Sequence, residues 1–453
     1  MEDSASTTVV DLPWNKVDKS AFLKQYWQKK PVLFKNALGS FADCIAADEI
    51  IAEAYDSYCP SRLIIRSAEN EEQELAANKA KRGDFYQQKL ETIHGPFENV
   101  DIKEAKEACR DGEHNQHINL SQKLEDPGVS LLVQQLQSRY PVLLDLERCF
   151  GFIPSWRRED VMASVSSAGG GVGKHADRYD VFLVQTQGIR RWQVALHETS
   201  EPVIDQLTYP GDVLYIPPGV FHWGETIEAA ITLSVGFRAP SAAAMLSEIP
   251  YALAELSTKE QDDLFKDLGR NILPFDSAIT PNDISQAREL LTQALDNDNF
   301  IADILGRSAT FKSNPEALYT SENHAPDHTW EDAYSDDGNE IDLALDANND
   351  KRIAAYSASE SPDSIATDPD EKFRLDPLYR VALYKPFLKD EKLSGDCGNL
   401  ISLYIGGEKF SGPDKLLCDL VSGAILSTQD FIDKECEALL EKLEPFLTAE
   451  ETI

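Results

Sequence analysis

The spacing of apolar and polar positions along the chain changes character several times. Between residues 14 and 60, WNKVDKSAFLKQYWQKK places apolar residues near helical spacing, and strand-like PVLF follows. Residues 68–90 are polar and helix-prone, and residues 98–127 form a second polar stretch. From 160 to 240 the pattern is different: VMASVSS, DVFLVQTQG, RRWQVAL, DVLYIPPG and AITLSVGFRAP are short β-type runs divided by Gly and Pro. Closely spaced strands without long helical patterns between them predict an antiparallel sandwich or barrel. After Pro240 the period returns to three and four, in AAAMLSEIPYALAELSTKEQDDLFKDLGRNI and PNDISQARELLTQALDNDNFIADILGR, with Asn282, Asp283 or Ser285 placed to cap the second stretch. Residues 331–370 hold twelve Asp and Glu against two Lys and Arg, the composition of a solvated linker. Residues 372–453 regain order as strand-like FRLDPLYRVALYKP and NLISLYIGGEKFSG followed by two apolar helical stretches, predicting a mixed α+β module.

Size and charge narrow the picture. At roughly 150 residues per domain the chain of 453 residues predicts about three domains, and 42% apolar residues suffice for a sizeable core. A net charge of −35, from 43 Lys and Arg against 78 Asp and Glu, disfavours a broad basic face for DNA or RNA and disfavours anionic membrane surfaces. It favours a basic partner. The opening MEDSASTTVVDLPW has no secretory pattern, and no apolar run is long enough to cross a bilayer. The seven cysteines are widely spaced without a CxxC, so reduced thiols in a cytoplasmic protein are expected.

The stretch GGGVGKHADRYDVFLVQTQGIRRW, residues 169–192, carries the chemistry. His175 and Asp177 form an HxD pair, which a strand would point to one face. GDVLYIPPGVFHWGE supplies His222 after a strand and a Pro-Pro-Gly turn. Two imidazoles and one carboxylate make a facial triad that leaves positions open and suits non-haem Fe(II). An HxD alone arises easily by chance, and a strand histidine is more often merely hydrogen-bonded. The Gly-rich approach and the D-x-L-x-I-P-P-G-x-x-H that follows raise the metal reading above that one. His114 and His117 read as loop residues, Pro326 argues against a helical pair of His324 and His328, and His94 reads as structural.

These pieces resemble the bacterial ribosomal oxygenases of the JmjC type. YWQKKPVLFKNA, HGPF, SLLVQ, the run SWRREDVMASVSSAGGGVGKHADRYDVFLVQTQGIRRWQV, GDVLYIPPGVFHWG and SVGFRAPS occur in the family's order. The resemblance implies an α+β fold: a double-stranded β-helix (jelly-roll, cupin) core within 1–240, a helical dimerisation segment at 241–312, an acidic linker at 313–371 and a winged-helix-like module at 372–453. It implies Fe(II) held by His175, Asp177 and His222, with 2-oxoglutarate and O2 as cosubstrates. Arg190 matches the position that grips the far carboxylate of 2-oxoglutarate, as a planar guanidinium can. Ser164 matches a position near the cosubstrate, where a small strand residue fits equally well. Arg191 should face the other side of the sheet, exposed. Tyr179 and Asp180 fit either a substrate channel or strand packing.

The family's members hydroxylate an arginine of large-subunit ribosomal protein sixteen, so a basic ribosomal protein substrate, a homodimer and no direct nucleic-acid binding are implied. The same triad would serve a ribosomal histidine hydroxylase or a histone lysine demethylase, and a non-catalytic jelly roll binding a basic protein is a further alternative. The chain departs from the family in the short ALHETSEPVIDQLTY between Asp177 and His222, in the stretches near 68–90 and 103–127, and in the long acidic linker. Those departures bear on the target more than on the iron site.

Overall fold

The computed structural model describes residues 9–56, 59–66, 90–97, 118–253, 280–310, 372–375, 381–384, 400–422, 424–432 and 436–449. The stretch 68–89, the histidines 114, 117, 324 and 328, and the acidic linker lie outside these residues. The chain divides into two units, Met1–Pro240 and Ser241–Ile453.

The first unit is built on an eleven-stranded sheet system. Its strands are β1 (Val9–Asp11), β2 (Val32–Lys35), β3 (Ser61–Arg66), β4 (Leu90–His94), β5 (Val129–Val133), β6 (Arg158–Ser166), β7 (His175–Ala176), β8 (Asp180–Ala195), β9 (Ile204–Thr208), β10 (Val213–Ile216) and β11 (Phe221–Phe237). The order is β1-β2-β10-β8-β11-β6-β5-β3-β4, with β7 on β11 and β9 on β8. The fold is a jelly roll of the cupin kind. The sequence reading split β8 into two runs at Gly188, but β8 and β11 each run unbroken and pair antiparallel from Phe221↔Ala195 to Phe237↔Asp180. Register shifts between Thr226 and Thr232 bend this ribbon instead of breaking it. Gly188 sits in the bend at φ +67°, and a Cβ there would lie 2.0 Å from the Ala229 carbonyl oxygen, so only glycine fits. One half of the ribbon joins β10, β6 and the strands beyond them. The other half joins β9 and β7.

The strands of the larger half are buried on both faces, which explains their unbroken apolar runs. Phe182, Val184, Val213 and Tyr215 face an outer core with Trp14, Phe22 and Phe34. Val181, Leu183, Leu214 and Ile216 face the inside of the roll. The N-terminal helices α1 (Lys19–Gln25) and α2 (Ala47–Glu53) supply Phe22, Ile50 and Ile51 to the outer core. Asp18 caps α1 by accepting from the backbone N–H groups of Ser20 and Ala21.

Asp180 stands where this outer layer meets β8, fully buried. Tyr215 Oη donates to Asp180 Oδ1 at 2.5 Å and accepts from the Gln28 backbone N–H at 2.7 Å. Gln28 Nε2 and Arg157 Nη2 reach Asp180 Oδ2 at 3.1 and 3.4 Å. Asp180 therefore has the packing role of its two readings. Strand β9, missed in the sequence, pairs only with β8 among the described strands. Lys35 Nζ donates to the Leu207 carbonyl on β9 at 2.7 Å and to Asp212 Oδ2 at 2.6 Å.

The second unit begins with the short helices α3 (Ala242–Leu246) and α4 (Ile249–Leu253), followed by α5 (Pro281–Leu295) and α6 (Asp298–Thr310). The cap of α5 is Thr280, earlier than the sequence suggested. Pro281 has no N–H to satisfy, and Thr280 Oγ1 accepts from the Asp283 N–H while Asp283 Oδ2 accepts from the Thr280 N–H. Strands β12 (Lys372–Leu375), β13 (Val381–Tyr384), β14 (Leu400–Ile405), β15 (Glu408–Pro413), β16 (Leu426–Ser427) and β17 (Leu447–Ala449) form two three-stranded sheets. Three short helices, Asp414–Val421, Thr428–Ile432 and Glu437–Leu443, add Leu417, Phe431 and Leu443 to their core.

Replacing Tyr215 with Phe should leave Asp180 and the Gln28 N–H short of a partner. The variant is expected to lose about 1–3 kcal/mol of stability, read as a lowered urea midpoint. An unchanged midpoint would show that this buried network contributes nothing net.

Candidate functional site

The smaller half of the ribbon assembles three ligating side chains. Strand β7 pairs with the start of β11 so that His175 lies opposite His222, and Asp177 follows just past the end of β7. One ligand atom from each residue lies within 4.8 Å of the others. His175 Nε2 is 3.9 Å from Asp177 Oδ1, and His222 Nε2 is 3.5 Å from Asp177 Oδ2. Each imidazole turns its Nδ1 to a carbonyl two residues back, Gly173 and Val220, at 3.1 Å. With Nδ1–H donating there, each Nε2 lone pair is left to face the common centre.

Local backbone holds this arrangement. The Gly-rich stretch presses so closely on β11 that a Cβ on Gly171 would lie 2.2 Å from the Gly224 carbonyl oxygen. The Gly219 N–H donates to the Asp177 carbonyl at 2.7 Å, tying the Pro-Pro-Gly turn to the HxD pair. Burial, aided by the neighbouring His175, lowers the His222 imidazole to about 3 and keeps it neutral. Burial also raises the Asp177 carboxyl, against the opposing pull of His175, Arg62 and a hydrogen bond from Tyr179. A divalent cation at the centre would favour the neutral imidazole and the ionised carboxylate together. The donor set thus fits a metal of the non-haem iron type.

Arg190 lies inside the same half, 3% exposed. Among the described residues no carboxylate pairs with it. Its Nη1 reaches only Ser164 Oγ at 3.4 Å and Thr232 Oγ1 at 3.3 Å, and its Nε has no hydrogen-bond partner. Burial lowers the guanidinium to about 10, which still leaves it charged at neutral pH. The Trp192 ring lies 4.9 Å from its Cζ and 6.1 Å from the His222 ring. A buried cation with hydroxyls but no anion beside it is suited to a carboxylate ligand. Ser164 is in this pocket, linked to Ser166 Oγ at 3.1 Å. Arg191 points the other way, exposed, and grips Asp205 through two bonds of 2.7 Å.

Sequence reasoning missed Thr232 and Trp192. Strand alternation through β8 and β11 would have flagged Trp192, two residues from Arg190. Thr232 lies beyond the register shifts, where alternation cannot be counted.

The model of the JmjC domain matches residues 145–245. Within these residues the chain resembles JmjC domains. It is 32% identical over 291 residues to the ribosomal protein uL16 3-hydroxylase of Escherichia coli, covering 60% of this chain and 66% of that protein. It is 31% identical over 245 residues to a probable ribosomal oxygenase of Haemophilus influenzae, covering 50% of this chain and 51% of that one. The sequence matches therefore span just under two thirds and about half of these relatives. Its structure is similar to that of YcfD, a ribosomal oxygenase from E. coli, with TM-score 0.63 and 26% identity over 96% of this chain and 98% of that one. A YcfD complex with cobalt and 2-oxoglutarate matches with TM-score 0.63 and 25% identity, over 96% and 99% of the two chains.

Divalent cobalt should raise the Tm of this protein by mass action on the folded state. Asp177→Ala and His222→Ala should each abolish the shift. An equal rise in both variants would place the cobalt elsewhere.

Proposed function

We propose that this chain is an Fe(II)- and 2-oxoglutarate-dependent protein hydroxylase that acts on an arginine of a large-subunit ribosomal protein. The observation that carries the reading is the buried Arg190 without an anion, set in the same half of the roll as His175, Asp177 and His222. Names borne by relatives add to it: a uL16 hydroxylase, and an oxygenase bound to cobalt and 2-oxoglutarate.

His175, Asp177 and His222 would hold iron by one face and leave its other positions to ligands. When bound, iron with 2-oxoglutarate and O2 supplies the oxidising chemistry that converts a C–H of the target to C–OH, with succinate and CO2 as coproducts. Arg190 would orient the cosubstrate by its far carboxylate, with Ser164 beside it. Leu183, Trp192, Val194 and Leu214 line the inside of the roll and exclude water from the reacting atoms.

The arginine target is supported at the other end of the same inner face. Asp160, Met162 and Ser164 alternate along β6, with Met162 opposite Ser234 and Ser164 opposite Thr232 on β11. At Gly236 a Cβ would lie 3.7 Å from both Asp160 Oδ1 and the Tyr179 ring. A carboxylate and an aromatic face bounding one space suit a guanidinium. The net charge of −35 favours a basic protein of any kind, and a cytoplasmic location would bring the enzyme to its substrate.

Incubated with Fe(II), 2-oxoglutarate and the ribosomal protein, the wild type should add the mass of one oxygen atom to a single arginine and release succinate. Asp160→Asn should raise KM for the protein at least several-fold. A histidine carrying the oxygen, or release of formaldehyde, would assign the same chemistry to a different target. No modification of any basic protein by iron-loaded enzyme would remove the reading.

We further propose that the chain forms a homodimer through its helical segment. Helix α5 has no buried residue, and Ile284, Leu291 and Leu295 are 52%, 66% and 43% exposed along one face of it. Leu291→Glu combined with Leu295→Glu should convert a dimer to a monomer in sedimentation equilibrium. A dimer in both proteins would move the interface elsewhere.

A further inference from the structure

The pocket around Arg190 contains a second polar group with nothing to bind. Thr226 is 1% exposed, and its Oγ1 is buried without a hydrogen-bond partner. A buried hydroxyl left unsatisfied is unfavourable, so an orphan of this kind calls for a cause.

Its position is tightly set. Thr226 lies directly opposite Arg190 in the β8–β11 register, so the two side chains share a sheet face. Its backbone N–H donates to the Gly170 carbonyl at 3.0 Å, and its carbonyl accepts from the Gly169 N–H at 2.7 Å. The Gly-rich stretch thereby clamps the residue on both sides. His222, Gly224 and Thr226 alternate along the inner face of β11, all buried. A Cβ on Gly224 would lie 2.8 Å from Arg190 Nε and 2.9 Å from Trp192 Cη2, so the strand is kept bare between the candidate metal ligand and the hydroxyl. Arg190 Nε is the other orphan of the pocket.

We infer that Thr226 Oγ1 is a second anchor for the far carboxylate of the cosubstrate, donating a hydrogen bond to an oxygen of the carboxylate that Arg190 neutralises. This rests on the 2-oxoglutarate reading above. One ligand satisfies both orphans: the carboxylate accepts from Arg190 and from the hydroxyl, which no other described group reaches. Charge-assisted bonds of this type are stronger than neutral ones. Thr226 acts on cosubstrate affinity and not on the metal, whose candidate ligands His175, Asp177 and His222 stand apart from it.

The test is calorimetric titration of the cobalt-loaded full chain with 2-oxoglutarate and, separately, with succinate, which has the carboxylates but no keto group. Thr226→Val keeps the shape and removes the hydroxyl. It should weaken both diacids about tenfold or more and leave the affinity for cobalt unchanged. Thr226→Ser should bind nearly as wild type. If the valine variant loses its cooperative melt, Thr226→Ala gives the same comparison. Wild-type affinity in the variant without the hydroxyl would overturn the inference, as would an equal fall in cobalt affinity, which would mark a packing role. Failure of the wild type itself to bind either diacid would overturn the 2-oxoglutarate reading and this inference with it.

Discussion

Everything at the site depends on the pairing of β8 with β11. Because two long strands stay hydrogen-bonded through a bend, the same pair of backbones serves both halves of the roll. One half is sealed by apolar side chains on both faces. The other half, fixed by the same ladder, is free to carry His222, Thr226 and Arg190 at defined register. A bent ribbon transmits rigidity from a core to a polar site without asking the polar site to stabilise itself.

That division matters because the site opposes folding. A guanidinium taken out of water without a counter-ion costs several kcal/mol, and the unsatisfied Thr226 hydroxyl adds to it. The aromatic layer over the outer face offsets such a cost: Trp14 packs edge-on against Phe34 at 5.3 Å and Phe182 at 5.8 Å, and Phe150 stacks on Phe182 at 4.3 Å. Phe182 belongs to β8 itself, so the strand that carries Arg190 is anchored in this aromatic layer.

The clustering of His175, Asp177 and His222 was legible in the sequence because its signals are local: HxD, the Pro-Pro-Gly-x-x-His turn and a strand between them. Arg190 was singled out by the family resemblance and by no local signal. The geometry brings His175, Asp177 and His222 together and sets Arg190 and Ser164 in one pocket. Continuity of β8 and β11 was not legible, since Gly188 looks the same whether it ends a strand or bends one. Strand β9 was missed because four of its neighbours and members, Val203, Asp205, Gln206 and Leu207, are all exposed and give no alternation. The distribution of charge is also legible in the sequence. The segment after Pro240 holds 43 of the 78 Asp and Glu but only 18 of the 43 Lys and Arg, so most of the acidity lies outside the jelly-roll unit.

The contact of Lys35 with β9 has a consequence for the life of the protein at high concentration. A strand with a neighbour on one side only among the described strands, bordered by exposed Val203, Leu207 and Tyr209, is a template on which another chain can nucleate. An ammonium bound to the Leu207 carbonyl and held there by Asp212 places a charge where a foreign backbone would have to dock. A single lysine from β2 thus disfavours edge-to-edge docking of a second backbone at β9.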